Sequence, residues 1–135
     1  MYDLEMFLKE NKIQRQNRTL AVTESLRDNE GKPVEWEIKP VSTRENEEIR
    51  QSCMIKGEKG YVLNTSLYIA RLVACSVVKP DLFNAKLQDS YGVLTPEDLV
   101  REMVDNPMEY SRLVEAVEEL NGFTAVEDKI QQAKK

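Results

Sequence analysis

The sequence predicts an α+β fold, with an N-terminal antiparallel β-hairpin packed against a mainly helical bundle that has a buried central helix. Three observations carry this. Val34, Trp36 and Ile38 alternate with Glu35, Glu37 and Lys39, the period of a strand with one dry face and one wet one. Residues 66–78 are apolar most of the way round a helix, so that helix is buried most of the way round. From Asn84 onward, helix-capping residues recur ahead of apolar stripes.

Taken in order, Tyr2, Leu4, Phe7 and Leu8 lie on one face of a short helix over residues 2–9. Leu20 and Val22 alternate with polar neighbours and give the first strand. Asp28-Asn29-Glu30-Gly31 is turn chemistry, and the Trp36 strand follows it, completing the hairpin. After Pro40 the period changes. Ser42 with Glu45 fits a capping box, in which each side chain satisfies a free amide at the start of a helix. That helix runs to about Met54, with Ile49 and Cys53 inward. Gly57 and Gly60 bracket a flexible loop or a small hairpin, and residues 56–64 are assigned no role. Asn64, Thr65 and Ser66 start the central helix, and Lys79-Pro80 ends it.

Asn84 caps a short helix through Leu87, with Gly92 as its stop. Thr95-Pro96-Glu97-Asp98 has a cap, a proline at the first helical position and acids at the positive end of the helix dipole. Leu99, Val100, Met103 and Val104 form that helix's inward face. Asn106-Pro107 repeats the start signal for a helix burying Tyr110, Leu113, Val114, Val117 and Leu120, which stops at Asn121-Gly122. Thr124 with Glu127 caps a final helix over residues 124–135, striped by Val126, Ile130 and Ala133. The stripe is thin, which leaves two readings open: a mobile tail, or one that folds against a partner.

The chain has 135 residues, the size of one domain spanning 1–135, and its 41% hydrophobic and 32% charged content is globular. The apolar run over 61–78 contains Arg71 and is too short for a membrane span. The acidic start, with Asp3 and Glu5, is unlike a signal peptide, so the expected location is the cytoplasm, with Cys53 and Cys75 as reduced thiols. A net charge of −5 repels nucleic-acid phosphate. The basic stretch Lys9, Lys12, Arg15 and Arg18 contains Glu10 and has no interleaved aromatics for base stacking. It reads as a solvated arm, with nucleic-acid binding as the alternative.

The chain contains no histidine, which removes the commonest general base and metal ligand and any Cys–His or Ser–His pair. Two cysteines separated by a core helix lack zinc-ligand spacing, and no glycine-rich phosphate loop follows a strand. Asp28 to Gly31 resembles the start of a calcium loop without its closing ligand and reads as a turn. The many carboxylates sit at helix starts or opposite apolar stripes, as solvated faces do. The chain is therefore read as non-enzymatic, without cofactor or metal.

Leu87-Gln88-Asp89-Ser90-Tyr91-Gly92-Val93 resembles a segment shared by XkdN-like tail assembly chaperones of contractile-tailed phages and PBSX-type defective prophages. Gly31-Lys32-Pro33-Val34-Glu35-Trp36-Glu37-Ile38, Ser52-Cys53 and Asn121-Gly122-Phe123 match in the same order, as does Phe7-Leu8-Lys9 near the start. The resemblance implies a non-catalytic assembly factor that binds the tape-measure protein, keeps it soluble in the host cytoplasm while the tail tube polymerises, and is absent from the mature virion. It also implies a longer product sharing residues 1 to roughly 133, made by frameshifting near Lys134-Lys135. A basic end that complements a helix dipole is the ordinary reading of those lysines. The candidates for partner contact are Tyr91, Val126 and Ile130, Tyr91 having a packed aromatic at a helix end as its ordinary reading. A structural virion subunit is the remaining alternative.

Overall fold

The computed structural model describes residues 2–123. The N-terminal hairpin is present. Strand β1 (Arg18–Ala21) pairs antiparallel with β2 (Glu35–Ile38), placing Leu20 opposite Trp36 and Arg18 opposite Ile38. Trp36 and Ile38 are fully buried while Glu35 stays in water, as the alternation requires. The turn between the strands is held by Asp28, whose Oδ1 accepts from the Glu30 and Lys32 amides at 2.8 and 3.0 Å. That Asx geometry occupies the carboxylate, and Gly31 supplies the left-handed residue at φ +80°.

Helix α1 (Thr43–Ser52) starts with the expected capping box: Ser42 Oγ accepts from the Glu45 amide, and the Glu45 carboxylate accepts from the Ser42 amide. Residues 54–63 form the small hairpin rather than a loop, β3 (Met54–Gly57) against β4 (Gly60–Leu63). The Asn64 amide donates to the Cys53 carbonyl at 2.9 Å and closes its base. Asn64 then caps α2 (Thr65–Ser76), the central helix, which packs against α1, α4 (Pro96–Met103) and α5 (Pro107–Leu120). Ala70, Leu72, Val73 and Ala74 are buried in it.

Two elements differ from expectation. The central helix ends at Ser76, and Val77–Lys79 leaves as strand β5, which adds to β2 and makes the sheet three-stranded in the order β1-β2-β5. Val77 and Val78 are β-branched and suit a pleat as well as a helix; the open edge of β2 decides between them, because it offers a ladder for their amides. The expected helix over 2–9 is two short 3₁₀ turns, Leu4–Phe7 and Lys9–Asn11, and its supposed inward residues Tyr2, Leu4, Phe7 and Leu8 are all exposed. A stripe of little more than one turn buries too little area to offset the entropy of ordering it.

The last third follows the caps. Asn84 begins α3 (Ala85–Ser90), Thr95 begins α4 and Asn106 begins α5, each side chain accepting from an amide in the helix's first turn. Leu99, Val100, Met103, Val104, Leu113, Ala116 and Val117 join Trp36, Ile38 and Leu72 in one core. The expected helix over 124–135 lies outside the described residues.

Candidate interaction surfaces

Polar contacts fix α5 to the hairpin. The Thr23 hydroxyl and the Glu24 amide donate to the Glu109 carboxylate at 2.7 and 2.8 Å, and these two donors hold its pKa below the usual range. Asn121 receives the Val41 amide on its Oδ1 at 2.8 Å and donates Nδ2 to the Val117 carbonyl at 2.8 Å. One side chain thus satisfies both a helix end and a buried strand exit, a role the sequence showed only as a helix stop. Arg71 ties three helices together: it donates to the carbonyl and hydroxyl of Ser52 at 3.0 Å and pairs with Glu97 at 3.4 Å.

The basic stretch is partly absorbed by the fold. Arg15 donates to the Val41 carbonyl at 2.6 Å, and Arg18 pairs with Glu119 at 3.4 Å. Those cations sit in fixed positions against acidic or carbonyl partners, which weakens a phosphate-binding reading. Among the described residues no group of His, Cys, Asp and Glu side chains could hold a metal. Cys53 is buried. Burial pushes the Cys75 thiol up, the Glu45 carboxylate adding to the effect, so it stays a protonated, weak nucleophile. Glu45 is held below its ordinary value, first by the Ser42 amide and then by Lys39. These groups cap and pair; they do not converge on a shared cleft. An open depression of about 660 Å³ is lined by Leu8, Lys9, Glu10, Lys12 and Gln14.

What remains is apolar surface outside the core. The β3–β4 hairpin sets Ile55 directly opposite Val62 on one face, and they are 49% and 52% exposed. Tyr61, opposite Lys56 on the other face, is 70% exposed. Among the described residues the hairpin carries no third strand, and Met54 and Leu63 at its root are only half-buried. The sequence reading assigns residues 56–64 no role, although Met54-Ile55 and Tyr61-Val62-Leu63 on either side of two glycines is a legible hairpin signal. A second apolar stretch is the N-terminal segment, where Tyr2 and Phe7 meet edge to face at 5.5 Å but make no cover for Leu4 or Met6.

A third feature is an apolar trough between α2 and α5. One part is a depression of about 390 Å³ lined by Ser66, Ile69, Arg101, Tyr110, Ser111 and Val114. It continues past Ile69 and Val114 to Tyr68, Val117, Glu118 and Phe123. Of the residues singled out for partner contact, Tyr91 is half-buried at the end of α3 and packs on the core. Val126 and Ile130 lie outside the described residues.

The described residues form a small α+β fold that carries exposed apolar patches. The family model of the phage XkdN-like tail assembly chaperone proteins matches residues 4–134, and the chain belongs to that family. It is similar to the uncharacterized protein YqbN of Bacillus subtilis (strain 168), 23% identical over 128 residues covering 91% of this chain and 86% of YqbN. The crystal structure of the protein YqbN superposes with a TM-score of 0.80 at 21% identity, over 91% of this chain and 98% of that one, which shows the shared fold.

Proposed function

We propose that this protein is a non-catalytic chaperone of phage or prophage tail assembly that binds the tape-measure protein and keeps it soluble while the tail tube polymerises. The observation that carries the reading is the family match over residues 4–134. The reading places the protein in the bacterial host cytoplasm and outside the finished virion. A client that is long and apolar needs a partner that offers apolar contact and charge together. The exposed side chains Ile55, Tyr61 and Val62, with Tyr91 beside α3, supply the first, and the net charge of −5 supplies the second. Among the described residues no helix is long and apolar enough to cross a membrane. A longer frameshifted product sharing residues 1 to roughly 133 belongs to the same proposal, and intact-mass measurement in phage-producing cells tests it.

Co-expression with the neighbouring tape-measure gene and a pull-down test the main reading. The expected outcome is a soluble tape measure that co-purifies with this chain. An insoluble tape measure, together with salt-dependent retention of RNA or DNA, would transfer the function to the nucleic-acid alternative; recovery of the chain in purified particles would make it a structural subunit.

A further inference from the structure

We propose that the β3–β4 hairpin pairs edge to edge with the same hairpin of a second copy of this chain, β4 against β4, making one four-stranded sheet. An outer strand presents amides and carbonyls that a further strand can satisfy, and folded proteins ordinarily blunt such an edge with a lysine, another charge or a proline. Among the described residues the two sheets have four outer strands, β1 and β5 in one and β3 and β4 in the other. β1 carries Arg18, β5 carries Lys79 and β3 carries Lys56. β4 carries neither a charge nor a proline, and its Gly60, Tyr61 and Val62 are exposed.

The register says which groups this edge offers. The Asn64 amide donates to the Cys53 carbonyl, and antiparallel pairs alternate, so Ile55–Val62 and Gly57–Gly60 exchange hydrogen bonds while Met54–Leu63 and Lys56–Tyr61 do not. Tyr61 and Leu63 therefore turn their amides and carbonyls away from β3. Two copies related by a two-fold axis at Val62 set Tyr61 of each opposite Leu63 of the other, which matches every outward amide and carbonyl of both edges. On one face Val62 then meets Val62, and the Ile55–Val62 pair becomes a stripe of apolar side chains continuous across both copies. On the other face Tyr61 lies against Leu63 of the second copy. The charges are complementary as well. No charged side chain of one β4 faces another, and antiparallel overlap carries the turn holding Glu58 toward the start of the second copy's α2, whose positive end has no acid in its first turn. Pairing through β3 would instead bring two Lys56 side chains to one junction. This self-complementarity commits the edge to a second copy. Edge pairing leaves the faces of the sheet in water, and the inference stands apart from the identity of any client.

Sedimentation velocity and amide hydrogen exchange on the full chain alone test it, over a dilution series reaching about 1 mM, the weak end of specific association. The paired edge is short, so the expected result is a reversible monomer–dimer equilibrium within that series. The Tyr61 and Leu63 amides should exchange about tenfold more slowly in the concentrated sample than in the dilute one, with no change at Met54 and Lys56. Val62→Lys, which sets like charges across the two-fold axis, should stay monomeric throughout and keep its core melt, because Val62 is 52% exposed. The wild-type exchange data decide the matter whether or not that variant folds. A wild-type chain that is monomeric at every concentration overturns the proposal. So does a dimer that persists in the folded Val62→Lys chain, or protection that appears on Met54 and Lys56 instead. Protection of Tyr61 and Leu63 only on adding a tape-measure fragment overturns it too, by making an extended client strand the occupant.

Discussion

The molecule contains two antiparallel hairpins that a sequence reader would draw in much the same way, and they lead opposite lives. The β1–β2 hairpin presses Trp36 and Ile38 into the core, gains β5 as a third strand, and is tied to α5 through Glu109 and Arg18. The β3–β4 hairpin has apolar β-branched residues too, yet Ile55 and Val62 are about half exposed and, among the described residues, its sheet stops at two strands. Isolated two-stranded hairpins are marginal in water, so a hairpin is stabilised by what its face packs against, more than by its own residues. The first is structural because helices α2, α4 and α5 present a matching face. The second leaves its apolar pair, Ile55 and Val62, about half exposed.

That contrast can be broken at its foundation. Leu72 lies in α2, which packs against α1, α4 and α5, and is 2% exposed. Leu72→Asp should abolish soluble folded protein, because it places an unpaired charge in the interior. A soluble variant with a cooperative melt would show that α2 is not the common support. One step out, Trp36→Ala should cost about 3–5 kcal/mol in denaturant melts, the range for removing a large core aromatic. A loss below about 1 kcal/mol would put the first hairpin on the same footing as the second and remove the distinction.

The junction between sheet and helices is sharpened by pH. The Glu45 carboxylate is lowered by the Ser42 amide and by Lys39. A group with a lowered folded pKa contributes stability that is fully present above its unfolded value and lost as pH falls through its folded value. Wild-type stability should therefore drop on acidification below the ordinary carboxylate range, and Glu45→Gln should flatten that part of the acid limb. Melts from neutral pH down to about pH 3 decide it, since that span brackets the ordinary glutamate pKa; an unchanged slope would mean the capping carboxylate is not linked to folding. The smallest effect belongs to the second hairpin. The double variant Ile55→Ser with Val62→Ser should lose less than about 1 kcal/mol, as two surface substitutions do. A larger loss would show that the β3–β4 face is covered within the molecule.

Much of this was legible beforehand because the determining interactions are local. Ser42, Asn64, Asn84, Thr95 and Asn106 all cap the helices they precede, since a cap needs only its own first turn. The Trp36 alternation likewise gave the buried face directly. The misreadings are those where a distant partner decides. Val77 and Val78 carry both helical and strand patterns, and the edge of β2 selects the strand. Tyr2, Leu4, Phe7 and Leu8 have a helical period, but among the described residues they stay exposed, so the pattern is not matched by a burying face there. The surface left open was hard to read for the same reason: whether Ile55 and Val62 are covered depends on distant elements, which no local spacing records. Of the partner candidates, Tyr91 was found with its ring packed on the core, and its use by a client is a matter for experiment.

The most direct measurement is calorimetric titration of tape-measure fragments into the wild-type chain and into the Ile55→Ser, Val62→Ser double variant, at matched stability and at two temperatures. The account predicts wild-type binding with a negative heat-capacity change, the mark of apolar burial, and an affinity at least about tenfold weaker for the variant, or about 1.4 kcal/mol. Equal affinity of the two proteins would contradict the proposal that Ile55 and Val62 offer the client apolar contact, and absence of binding across every fragment would contradict the chaperone reading itself.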